Sequence, residues 1–210
     1  MALSDSKTKD ILVAIGSILA IVASVLWIVR SQRSPKMNVS LHQAVGQVLA
    51  EETARLLERK GKVVIVSMET GKVPELKTQL QAFEKALHLV GGITVLERYE
   101  LDPEDKPKYG PGTGLSAPRF LRIVKKSAKA DAIVSFVGVP RLTDEEIGKL
   151  ERMPRFVAET KERDKLSRLF EKKILHVAVV PRFEFPAPVS EKPRTAREWF
   201  DKYFQIVTAN

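Results

Sequence analysis

After about residue 40, apolar and polar positions follow two rhythms, and the switches between them predict the elements. Leu41 to Arg59 places Leu41, Val45, Val48, Leu49, Leu56 and Leu57 at helical spacing, and Gly61 ends the pattern. KVVIVSM then runs apolar without alternation, as a strand covered on both faces does. Pro74 opens a second helix with Leu76, Leu80, Phe83, Leu87 and Val90 as its buried stripe, and Gly91-Gly92 stops it before the strand ITVLERYEL. The alternation continues: a helix from Arg119 to Ala128 and a strand AIVSFVGV, then a helix from Thr143 to Leu150 and a short strand RFVAE. Lys165 to Lys173 reads as helix and ILHVAVV as strand, and REWFDKYFQIVTA reads as a short helix running into a last strand. Alternating helices and near-uniformly apolar strands predict an α/β fold: a mostly parallel sheet flanked by helices, a Rossmann-like or flavodoxin-like three-layer arrangement.

The N-terminus breaks both rhythms. From Ile11 to Val29 the chain reads ILVAIGSILAIVASVLWIV, 19 residues without a charge between Asp10 and Arg30. At 1.5 Å per residue a helix of this length spans about 28 Å, close to the hydrocarbon thickness of a bilayer. Trp27 stands near one end, where an indole favours the interface. The expected organisation is therefore a tail (1–10), one transmembrane helix (11–30) acting as a signal anchor, a linker (31–40) and a soluble α/β domain (41–210). A cleaved signal peptide is the competing reading, but the apolar run continues past Ala23 and Ser24, where cleavage would fall. Gly16, Ala20, Ala23 and Ser24 put small residues at three- and four-residue spacings, which would let a partner helix approach closely.

Charge alters this picture modestly. The net charge is +9. Residues 1–36 hold five Lys/Arg against two Asp, giving +3 and leaving +6 on the domain. A moderately basic domain beside a bilayer is drawn to anionic headgroups or acidic partners, although the basic residues are interspersed with Glu and Asp. Two lysines precede the apolar run and three basic residues follow it, too small a difference to set orientation; an exported domain with a cytoplasmic tail is the expectation.

Candidate chemistry is sparse. With no cysteine, thiolate metal sites and cysteine nucleophiles are excluded. His42, His88 and His176 show no H-x-x-x-H spacing, so neither metal nor cofactor is expected, and no G-x-S-x-G elbow appears. Dispersed Lys and Arg without an aromatic ladder argue against nucleic acid. In a parallel sheet, function gathers after the strands' C-terminal ends. There Lys72, Arg141 and Arg182, with Arg119 near a helix start, are candidates to hold a small anion. Gly112 and Gly114, in the run Gly110-Pro111-Gly112-Thr113-Gly114, are a weaker candidate phosphate loop that matches neither nucleotide pattern.

GKVVIVSMETG, AFEKALHLVGG leading into ITVLERYEL, DAIVSFVG and the closing WFDKYFQIVTAN together resemble one lobe of the type I periplasmic-binding-protein fold over about residues 60–210. That fold serves amino-acid and sugar receptors and lactose-repressor-like regulators, and the resemblance implies ligand capture between two lobes where this chain has length for one. Two functions follow as expectations. One is a non-enzymatic, single-pass membrane protein whose domain is an interaction or scaffold subunit of a larger complex, with lipid and other subunits as partners. The other is a membrane-tethered binding module for a small anionic ligand, completed by dimerisation.

Overall fold

The computed structural model describes residues 15–18, 20–25, 27, 37–101, 115–150, 152–164, 166–182 and 193–209. Two compact units divide the chain, Met1–Met37 and Asn38–Asn210. In the first, the described residues up to Trp27 are helical, and Ile15, Ile18, Ile21, Val22, Val25 and Trp27 are exposed. Ala20, Ala23 and Ser24 are exposed on the same helix, open space surrounds the Gly16 Cα, and the Ser24 hydroxyl donates back to the Ala20 carbonyl at 2.8 Å. Ile11 and Val29, the ends of the expected anchor, lie outside the described residues; among those described, no helix is long and apolar enough to cross a membrane.

The second unit is a six-stranded sheet with helices on both faces. Its elements in chain order are α1 (Val39–Leu56), β1 (Gly61–Met68), α2 (Pro74–Val90), β2 (Ile93–Leu101), α3 (Ala117–Lys126), β3 (Ala132–Ser135), α4 (Asp144–Gly148), β4 (Arg155–Glu159), α5 (Leu166–Glu171), β5 (Val177–Pro181), α6 (Ala196–Tyr203) and β6 (Phe204–Thr208). Strand order is β2-β1-β3-β4-β5-β6, with β6 antiparallel to β5 and every other pair parallel.

Local chemistry explains the helix ends. The Asn38 side chain accepts from the Leu41 N–H to start α1, Pro74 occupies the first turn of α2 where no donor is needed, and Gly91 (φ 70°) stops it. Thr143 and Glu146 form a reciprocal capping box on α4, so Asp144, Glu145 and Glu146 are accounted for by the helix start.

The sheet separates two cores. Val63, Ile65, Val134, Val157 and Val179 face α1, α2 and α6; Val64, Val66, Ile133, Phe156 and Val180 face α3 and α5. β1, β3, β4 and β5 are buried on both faces. β2 differs, being mostly exposed at the sheet edge, with Leu96 as an extra residue where the register slips between Val63 and Val64. β3 is shorter than AIVSFVGV suggests: it ends at Ser135 because the Ser135 hydroxyl accepts from the Val137 N–H (3.3 Å) and donates to the Gly138 carbonyl (2.7 Å), turning the chain over the sheet edge.

Candidate functional site

β1 has β2 on one side and β3 on the other, so the connections after β1 and β2 depart in opposite directions. In open α/β sheets this reversal leaves a crevice at the strands' C-terminal ends. Here a hollow of about 160 Å³ lies at the ends of β1, β3 and β4. Its walls are Met68, the Phe136–Val139 turn and the segment from Glu159 to Glu162.

Each wall is held in place. Phe136 N–H donates to the Val66 carbonyl, and its ring meets Phe83 edge-on with centroids 5.4 Å apart. Gly138, at φ 90°, supplies the backbone conformation that closes the turn. Thr160 N–H donates to the Val179 carbonyl, while its hydroxyl accepts from the Glu162 N–H at 3.2 Å.

Glu159 is the chemically distinctive residue of the crevice. It ends β4 and is half-buried on the face covered by α1 and α2. Gln79 Nε2 donates to Glu159 Oε1 at 3.3 Å and lies 3.4 Å from Nδ1 of His42. Burial pushes the Glu159 carboxyl up to about 7, with the Gln79 hydrogen bond and the Lys161 charge pulling the other way. Burial also lowers the His42 imidazole below its ordinary value, opposed by Glu75. A carboxyl poised near neutrality beside a polar amide can accept or donate a hydrogen bond, which suits recognition of hydroxyl groups.

The expected cationic residues lie on the loops and helix starts that follow strands. Lys72 closes the short 3-10 turn Thr70–Lys72 just after β1. Arg119 is half-buried in the first turn of α3. Arg141, after β3, pairs with Glu162 at 3.5 Å on the rim of the crevice. Arg182 is committed to the sheet: its N–H donates to the Tyr203 carbonyl at 2.8 Å and its Nε to the Phe204 carbonyl at 2.9 Å, fastening β6 to β5. Gly112 and Gly114 lie outside the described residues.

Sequence reasoning passed over Glu159 and Gln79. A signal existed for both: Gln79 sits between Leu76 and Phe83 within an apolar stripe, and Glu159 shares the strand parity of buried Val157. A polar residue in a buried pattern marks either a satisfied structural group or a site.

A larger hollow, about 660 Å³, lies at the opposite edge, where β4 and β5 begin. Several of its polar side chains are tied up locally. Arg155 donates to the Leu56 carbonyl at the end of α1, Arg55 pairs with Glu52, and His176 Nδ1 accepts from the Phe156 N–H at 3.2 Å. Burial lowers the His176 imidazole, keeping it neutral as an acceptor.

No protein-family model and no curated protein sequence matches this chain. Solved structures match its fold. An arabinose-binding protein from Geobacillus stearothermophilus aligns with a TM-score of 0.50 and 13% identity over 66% of this chain and 45% of its own. The sugar-binding protein of a sugar ABC transporter from Bacillus halodurans aligns with a TM-score of 0.50 and 15% identity over 66% and 45%. The chain thus has a periplasmic-binding-protein-like α/β fold and spans less than half the length of these proteins. At such identities the likeness concerns the fold.

Proposed function

We propose that this protein is a non-enzymatic, small-ligand-binding module that uses the crevice at the ends of β1, β3 and β4 and is tethered to a membrane by its N-terminal helix. The observation that carries the reading is Glu159, half-buried at the end of β4 on the wall of the crevice and hydrogen-bonded to Gln79. A parallel sheet recognises ligands at this position, and the proteins that share the fold are named for the sugars they bind. The chemistry of the crevice favours a polyhydroxylated ligand over the anion that the loop cations suggest: Arg182 is spent on the β6 backbone and Arg141 faces Glu162. At about 160 Å³ the hollow is smaller than the roughly 300–1,000 Å³ that encloses a typical small ligand, so a second copy of the chain supplies the opposite wall.

The tether rests on the apolar run from Ile11 to Val29 and on the exposed Ile15, Ile18, Ile21, Val22 and Val25, with the domain on the extracytoplasmic side. A second reading, the interaction subunit of a membrane complex, draws on the β2 edge, where Val95 and Leu96 are exposed near the end of α2 that exposes Leu89.

Thermal-shift screening of the full chain against a panel of monosaccharides and small anions tests the ligand. A sugar at a hundred times its dissociation constant adds about 2.7 kcal/mol of stability, and Ala replacing Glu159 abolishes that gain. If only anions stabilise the chain, or if the gain survives Glu159→Ala, the crevice is not the binding site.

A further inference from the structure

Beneath the crevice, three elements place one hydrogen-bonding side chain each into a row. His42 comes from the start of α1, Gln79 from the second turn of α2 and Glu159 from the end of β4. The Gln79 amide nitrogen lies between its neighbours, 3.4 Å from His42 Nδ1 and 3.3 Å from Glu159 Oε1. Gln79 is only 6% exposed, so water competes little for either end of the amide. An amide nitrogen carries two hydrogens and no lone pair to offer, whereas the amide oxygen carries lone pairs and no hydrogen. Whichever end faces the row imposes one polarity on both neighbours. With the nitrogen inward, His42 Nδ1 must accept, which requires the neutral Nε2–H tautomer, and Glu159 must accept through Oε1, which a carboxylate does with either oxygen and a carboxylic acid only where Oε1 is its carbonyl oxygen. With the oxygen inward, His42 Nδ1 must carry a hydrogen and Glu159 must carry a proton to donate.

We propose that Gln79 is a proton-driven amide switch: when Glu159 takes up a proton on the oxygen that faces Gln79, the amide turns over, His42 changes from the Nε2–H to the Nδ1–H tautomer, and the hydrogen-bond polarity along the row inverts. No net atoms are exchanged beyond the one proton bound by Glu159 and the one that moves through solvent between the two imidazole nitrogens. The functional meaning rests on the ligand-binding reading above, because a ligand hydroxyl against Glu159 meets a charged carboxylate acceptor in one state and the weaker acceptor of a neutral carboxyl, its one proton held by Gln79, in the other.

The charged surroundings are few. Glu75 acts on His42 from α2, Lys161 acts on Glu159 from the loop after β4, and Glu162 on that loop is paired with Arg141. The ends of β1 and β3 present Met68 and the uncharged Phe136–Val139 turn, with an exposed Glu69 just after β1. Burial raises Glu159 into the neutral range and lowers His42, so Glu159 titrates first and His42 is still neutral when the amide turns.

The test uses the full chain in detergent micelles without ligand, with 15N-labelled histidine side chains, titrated by NMR from about pH 8.5 to about pH 5.5. In the wild type, the Nδ1 and Nε2 shifts of His42 exchange their pattern in a first step near neutrality and become equivalent, as in imidazolium, in a second step at lower pH. Glu159→Gln, which cannot titrate, and Gln79→Met, which cannot relay, both remove the first step and leave the second. A wild-type His42 that titrates in one step from a single tautomer overturns the switch, as does a first step that survives Glu159→Gln in a variant whose amide spectrum shows it folded. Because no ligand is present, a failure of sugar binding leaves this readout intact, and a failure of the switch leaves the binding reading standing.

Discussion

A carboxyl group at the end of β4 loses part of its hydration and gains one amide donor, and the balance sets how the domain responds to pH. Glu159 holds its proton more tightly in the folded state, near 7, than at its ordinary value of 4.5. A raised value means the associated stability is complete below about pH 4.5 and is lost as pH rises through 7. His42 works in the opposite sense: its lowered value means a contribution present above 6.5 and lost as pH falls. Glu159→Gln removes the alkaline loss, so the variant exceeds the wild type at pH 8 by on the order of 1–2 kcal/mol, discounted for partial exposure, and the two converge toward pH 5. Urea denaturation midpoints measured across this range check the sign; a variant less stable than wild type at pH 8 contradicts the burial of the charge. RFVAE alone shows that Glu159 shares the parity of Val157, not that its carboxyl is buried beside Gln79. The strand was readable, but which face its last residue takes depends on α1 and α2 packing there, and a short apolar run does not announce that.

Helices α1 and α2 meet more closely than their side chains alone would allow, and Gly46 is the reason. A Cβ at Gly46 would stand 2.0 Å from the Gln79 carbonyl oxygen and 3.0 Å from the Ala82 Cβ, so the two helix backbones touch at the level of the Gln79 amide. Gly46→Ala therefore forces the helices apart and destabilises the domain by about 1–3 kcal/mol. Gly71→Ala, with open space at its Cβ, serves as the control and shifts the urea midpoint by no more than a few tenths of that. Equal effects at the two positions would show that the contact is not tight. At this scale the sequence was informative about existence and less so about environment. The apolar stripe of α2 and the capping residues Thr143 and Pro74 mark their helices correctly because those signals are local. ITVLERYEL reads as a strand but not as an edge, although its charges at Glu97, Arg98 and Glu100 and the extra Leu96 are devices that keep an open edge from pairing with other chains. Gly46 looks like a weak point in a helix until its neighbour is known.

For the whole molecule, alternation of helix and strand was enough to read a mostly parallel three-layer sheet, because strands buried on both faces must be apolar throughout and the connecting helices must cover them. Convergence of side chains was not readable: Arg141 and Arg182 follow strands as loop cations do, yet one pairs with Glu162 and the other fastens β6. The division into Met1–Met37 and Asn38–Asn210 yields the last prediction. The described residues of the two cores all belong to the second unit. Removal of residues 1–37 should therefore leave its urea midpoint unchanged within error while altering where the protein goes. The full chain, with Ile15, Ile18, Ile21, Val22, Val25 and Trp27 exposed on a helix, should stay in the membrane pellet through alkaline carbonate washing and require detergent for release, whereas the truncated chain should remain in the supernatant. The same detergent extract separates the two functional readings by mass: a dimer of this chain alone fits the ligand-binding module with a shared crevice, and a larger particle containing other chains fits the interaction subunit. A full chain released by carbonate removes the tether, since apolar surface of that extent leaves hydrocarbon for water only at a cost that a change of pH does not offset.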